Sequence, residues 1–178
     1  MLCSLTSSAQ TTEGTEIGID GSFSASNLGG AFGLGLKYGW KFGEYFIAGP
    51  SLRYQRTWAV VGIGTSTTSQ THFNLFGGGG FLHARFFNAL FVGTEIEFIR
   101  TPFQGGFLLT GQKNWAPTAL LGGGYSMEFN ERWRINLGIF YDVIDHQNSP
   151  LRQQYFMRNS QGVLLPVLYR INFFFPIG

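Results

Sequence analysis

The sequence predicts an all-β fold, an eight-stranded antiparallel up-and-down transmembrane β-barrel. Three observations carry the prediction. Residues 133–143 alternate without a break, with Trp133, Ile135, Leu137, Ile139, Tyr141 and Val143 on one face and Arg134, Asn136, Gly138, Phe140 and Asp142 on the other. That period of two is the pattern of a strand with one apolar and one polar face, and other stretches repeat it between turn signals. Charged residues make up only 12% of the chain and aromatics 17%, yet mean hydropathy is +0.05, because every second residue of such a strand faces a polar interior. No window approaches the roughly 18 apolar residues of a spanning helix.

A chain of 178 residues is one domain. Residues 1–9 read as a signal-peptide remnant, with Ser7 and Ala9 as the small residues of a cleavage site, and residues 10–178 as the barrel. Cys3 falls in the remnant, which leaves the mature chain without a cysteine and without a disulfide framework.

The strands follow in order. The first covers 16–24, with Ile17, Ile19 and Phe23 opposing Glu16, Asp20 and Ser22. In 31–40, Phe32, Leu34, Leu36, Tyr38 and Trp40 oppose Ala31, Gly33, Gly35, Lys37 and Gly39. The third, 45–58, sets Phe46, Ala48, Leu52 and Tyr54 against Gly49, Ser51, Arg53 and Gln55, with Pro50 suggesting a bulge. The fourth, 71–86, holds Gly77–Gly80, four glycines able to host a bulge that swaps the faces. In 90–100, Leu90, Val92, Ile96 and Phe98 oppose Gly93, Glu95 and Glu97. The sixth is 115–128, the seventh 133–143, and the eighth 163–175. After a short first connection, tight links at 42–44, 88–89 and 130–132 alternate with long ones at 61–70, 101–114 and 145–162. Short turns at one end and long loops at the other describe an outer-membrane barrel.

Volume and electrostatics choose which face points inward. An eight-stranded interior is only just wide enough for side chains, and the aromatic faces would overfill it, whereas the polar faces mix glycines with charges. Lys37, Arg53, Arg134 and Arg170 turned toward lipid would cost about 2–4 kcal/mol each near the midplane, which together rivals the ~5–15 kcal/mol that holds a domain folded. Turned inward they meet Glu16, Asp20, Glu95, Glu97, Glu128 and Asp142, a charge network that fills the lumen. Aromatics mark the strand ends: Trp40, Tyr45, Phe46, Phe86, Trp133 and Phe175 toward the short turns, Tyr54, Trp58, Phe98, Trp115 and Tyr141 toward the long loops. Two girdles at headgroup level follow.

With these features in place, the chain resembles the small eight-stranded outer-membrane proteins, the OmpA/OmpX-like barrels, over nearly its whole mature length. Such proteins end in an assembly signal with a terminal aromatic and apolar residues at every second position before it. Val167, Tyr169, Ile171, Phe173 and Phe175 follow that spacing, and the departure is the overhang Pro176-Ile177-Gly178. The resemblance implies a charged lumen, surface loops, and roles that range from anchoring to adhesion to lipid modification.

No catalytic constellation stands out, and no cofactor or metal is expected. His72, His83 and His146 lack metal-ligand spacing. His146 and Ser149, near Asp142 and Asp145 in the last long loop, are the nearest approach to a Ser/His/acid set, but proximity in sequence is not triad geometry. Arg56, Arg100, Lys113, Arg152 and Arg158 fall at or beyond the outer rim, as lipid-phosphate contacts or as ordinary loop charge. The expected function is non-enzymatic: a barrel with a plugged, charged lumen, acting structurally, through its loops, or as an accessory subunit of an envelope complex. The expected partners are outer-membrane lipid and envelope proteins reached by the loops. A net charge of +2 without basic clusters is too small to suggest nucleic acid, and none is expected as a partner. The alternatives are a lipid-modifying enzyme of the outer leaflet and a soluble lipocalin-like barrel with its faces inverted.

Overall fold

The computed structural model describes residues 14–26, 29–63, 67–104, 107–108, 114–129 and 132–177; the predicted signal remnant lies outside them. Eight long strands form the wall: β1 (Thr15–Ser26), β2 (Gly29–Phe42), β3 (Phe46–Ile63), β4 (Thr67–Phe86), β5 (Leu90–Thr101), β6 (Asn114–Phe129), β7 (Trp133–Asp142) and β8 (Val167–Ile177). Each pairs antiparallel with its neighbours in sequence, and β8 returns to β1 through Ile17↔Phe175 and Gly21↔Ile171. Closure leaves no edge strand, so the ladder satisfies the backbone around the whole ring.

The alternation read from the sequence sets which side of the wall each residue occupies. Along β2, Ala31, Gly33, Gly35, Lys37 and Gly39 are buried while Phe32, Leu34, Leu36, Tyr38 and Trp40 are exposed. Leu52 is 64% exposed and Leu121 60%, whereas Lys37, Glu95, Glu97 and Asp142 are each 0% exposed. Apolar residues face out and charges face in.

Neither the bulge suggested at Pro50 nor the one Gly77–Gly80 could host is formed. The β3–β4 register runs unchanged from Phe46↔Ala84 to Ile63↔Thr67, straight through Gly77–Gly80, and β4–β5 does the same from Phe76↔Arg100 to Phe86↔Leu90. At Pro50 the β2–β3 ladder skips two pairs and resumes in the same register, Lys37↔Ser51 on one side and Trp40↔Ala48 on the other. The missing proline N–H removes a bond without adding a residue.

Several ends move. β3 and β4 extend into the connection expected at 61–70, since Val60, Val61, Ile63, Thr67 and Thr68 are β-branched and pair across the hairpin. β7 stops at Asp142. β8 begins at Val167 rather than at 163, because Pro166 precedes it and residues 158–164 close their own turn through Arg158↔Leu164 and Gly162 at φ +79°. At the other end β8 takes in Pro176 and Ile177, which pair with Glu16 and Thr15. The overhang is thus largely strand.

The long connection after β7 does not project freely. It contains a short 3₁₀ helix, Pro150–Gln154, capped by Ser149, whose Oγ accepts from Leu151 N. Leu151 is fully buried. It joins an interior cluster with Leu75, Phe91, Ile99, Leu120, Phe140, Tyr155 and Leu168. A second interior cluster, Ile47, Phe81 and Phe174, lies toward the short turns.

Candidate functional site: the charge cluster inside the barrel

Six formal charges meet at mid-barrel. Lys37 Nζ on β2 donates to Glu95 Oε1 on β5 (2.5 Å) and to Asn172 Oδ1 on β8 (2.7 Å), with Asp20 Oδ2 of β1 at 3.4 Å. Arg53 on β3 donates through Nε to both oxygens of Glu97 (2.9 and 2.8 Å) and through Nη2 to Asp20 (3.0 Å). Arg170 on β8 grips Glu97 with two parallel bonds of 3.0 Å and also donates to Glu95. Three acids face three bases, so the cluster is neutral, and each carboxylate serves at least two cations. β2 and β8 flank β1 and β5 lies across the ring from them, so the bonds from Lys37 and Arg170 to Glu95 and Glu97 cross the bore.

The sequence makes room for this packing. A Cβ on Gly35 would collide with the Asp20 carboxylate, and one on Gly33 would crowd Ser22 Oγ at 2.6 Å and the Gln154 side chain at 3.2 Å. Glycines on the inner face of β2 therefore admit the carboxylate and the loop residue that bulkier neighbours would exclude. His83 was expected to stand alone. Instead its Nε2 lies 3.0 Å from Glu95 Oε1, and its ring touches Phe81, Phe91, Phe140 and Phe174. It thus bridges the charge cluster and the two apolar ones.

The remaining residues expected in one network separate into smaller groups. Glu16 pairs with Arg85 (2.8 Å) and Lys41 (2.9 Å) toward the short turns, where Arg85 also sits 4.5 Å over the Phe174 ring. Arg134 pairs with Glu128 and donates to Asn88 Oδ1 (2.9 Å) and Ser126 Oγ (3.0 Å) at the same rim. Asp142 serves the loop end. Its Oδ2 accepts from Tyr155 Oη at 3.0 Å, and its Oδ1 accepts from the backbone N–H groups of Ala119, Ile144 and Asp145. Burial first, then the carboxylates of Asp142 and Asp145, push the Tyr155 hydroxyl well above its ordinary range. The 3₁₀ segment is tied to the wall by Gln55 Nε2 donating to Pro150 O (2.9 Å) and Ser24 Oγ to Gln153 O (2.6 Å).

His146 and Ser149 are spent on turn closure. His146 Nδ1 accepts from Asn148 N at 3.2 Å while Ser149 caps the 3₁₀ helix. Among the described residues no group of three or more His, Cys, Asp or Glu is arranged to hold a metal ion. Val167, Tyr169, Ile171, Phe173 and Phe175 occupy every second position of β8, the face away from Arg170 and Asn172; Val167 is covered, its O accepting from Phe156 N at 3.2 Å. Arg152 lies 3.6 Å from Asp145, Arg158 donates to Gly162 O at 2.7 Å, and Lys113 falls outside the described residues.

The sequence reading missed His83, Asn172, Gln55, Gln154 and Tyr155. His83 was legible in principle, since an unbroken register through Gly77–Gly80 puts it beside Gly93, two residues from Glu95.

No protein-family model matches the chain, and no curated protein matches it. Among solved structures the chain is similar to the Yersinia pestis outer membrane protein Ail, determined in a phospholipid bilayer nanodisc, at 12% identity and a TM-score of 0.48, over 93% of this chain and 99% of that one.

Proposed function

We propose that the chain is a transmembrane barrel of an outer membrane, non-enzymatic, with a sealed interior, acting through its loop-side surface or as an accessory subunit of an envelope assembly. The observation that carries the reading is the sorting of the wall. The band of Leu36, Leu52, Phe76, Ile96, Leu121 and Ile139 is exposed outside while Lys37, Arg53 and Arg170 are buried inside. A water-soluble protein rarely leaves more than a few hundred Å² of contiguous apolar surface open, and a girdle of this kind suits hydrocarbon. A lipocalin-like barrel requires the opposite sorting. The outer-leaflet enzyme draws no support from His146 and Ser149, since Nδ1 of the one and Oγ of the other accept from loop backbone N–H groups.

Ion pairs that cross the bore, with apolar clusters on either side, favour a closed lumen. Burying six charges carries a large desolvation penalty, offset here by mutual pairing and multiple hydrogen bonds. The test is fractionation of cells expressing the full chain, with membranes run heated and unheated on a denaturing gel. Outer-membrane recovery with a heat-dependent mobility shift is expected. Aqueous recovery without a shift would overturn the reading.

A further inference from the structure

On the outer wall, toward the long loops, two arginines break the apolar band. Arg56 on β3 lies directly opposite Asn74 on β4, and Arg100 on β5 lies opposite Phe76 on one side and Trp115 on the other. All five face outward and are exposed. Among the described residues, neither arginine side chain has a hydrogen bond or an ion pair. Asn74 Oδ1 is occupied, accepting from Tyr54 Oη at 3.0 Å, which leaves its amide Nδ2 as a donor. The Tyr54 ring packs 5.1 Å from Phe76. Beside them runs a groove of about 330 Å³, lined by Asn74, Phe76, Arg100 and Trp115, with Arg56 next to it across the ladder from Asn74.

We infer that this groove binds the phosphate-bearing headgroup of a membrane lipid in the leaflet on the loop side; the inference rests on the membrane reading above. Unpaired guanidinium groups and an amide donor are the chemistry that takes up a phosphate, with arginine matching its oxygens two at a time. The acids that could neutralise them point elsewhere: Asp20, Glu95, Glu97 and Asp142 face the bore. The source is a lipid rather than a free anion because the site opens sideways from the wall, and its floor of Phe76 and Trp115 is continuous with the apolar band where acyl chains lie. A cation on the outer wall is tolerated near the interface at about 0–1 kcal/mol, so the arginines persist there at little cost and gain a partner from the membrane.

The experiment uses the full chain, purified in a non-ionic detergent and challenged with phosphatidate, with diacylglycerol of the same acyl chains, and with inorganic phosphate, retention being read by native mass spectrometry. Phosphatidate retention is expected to exceed diacylglycerol retention and to fall about thirtyfold in the Arg56→Gln/Arg100→Gln double variant, while Arg158→Gln leaves it unchanged. Inorganic phosphate at equal concentration is expected not to compete. Equal retention by the double variant, equal retention of diacylglycerol, or full competition by inorganic phosphate would each overturn the inference. The heat-dependent mobility shift, run on every variant, is independent: its loss in the wild type overturns the membrane reading itself, and its presence in the double variant shows that any lipid loss is not misfolding.

Discussion

The Arg170–Glu97 pair and the Arg134–Glu128 pair are built from the same residue types on the inward faces of strands, yet they live in different solvents. Arg170 and Glu97 are fully buried, joined by two bonds of 3.0 Å, and each has a further charged partner, Glu95 for Arg170 and Arg53 for Glu97. The Arg134 side chain is 15% exposed and that of Glu128 36%, at the rim where β6 turns into β7. Alternation assigns a face, whereas position along the barrel axis assigns the dielectric, and only the second decides what an ion pair is worth.

The largest effect should come from breaking the deep pair. Glu97→Gln leaves Arg170 and Arg53 without their shared carboxylate and should cost about 3–5 kcal/mol, read as a lower urea midpoint for unfolding from lipid vesicles. A smaller midpoint shift for this variant than for Glu128→Gln would break the comparison.

Next is the segment that covers the loop-side mouth. Leu151→Ala opens a cavity in the cluster around Phe140 and Leu168 and should cost about 2–5 kcal/mol, with residues 145–162 becoming open to protease. Wild-type resistance to protease that survives the substitution would show that Leu151 does not hold the segment.

Tyr155 sharpens the contrast through pH. Its hydroxyl must stay protonated to donate to Asp142, and its folded value lies above the ordinary 10. The contribution is therefore complete below pH 10 and is lost progressively as pH rises beyond it. Protease protection of the loop should weaken above that pH in the wild type and show no such step in Tyr155→Phe, which lacks the bond, worth about 1 kcal/mol, at every pH. Smallest of all, Glu128→Gln should shift stability by no more than about 1 kcal/mol and should lose even that in high salt.

Strand number and facing were legible because side-chain direction repeats every two residues, and burial along residues 136–142 shows it without a break. Depth was not legible, because it depends on how registers accumulate around a closed ring; for that reason Glu16, Glu128 and Asp142 were grouped with Glu95 although they sit nearer the barrel ends. Glycine and proline misled locally. Gly77–Gly80 and Pro50 are permissive of bulges, but permission is not requirement, and the straight ladder places His83 inside. The inward turn of Pro150–Gln154 left no periodic trace, since it depends on one leucine and a few side-chain-to-backbone bonds made to distant strands.

The central claim is that the apolar face of this wall meets lipid and the charged face does not. Photolabelling of the barrel in vesicles with an apolar carbene reagent dissolved in the bilayer, read residue by residue along Trp133–Asp142, tests it directly. The account predicts label on Leu137, Ile139 and Tyr141 and none on Asn136, Gly138 and Phe140. Label on Phe140 with Ile139 left clean would contradict it.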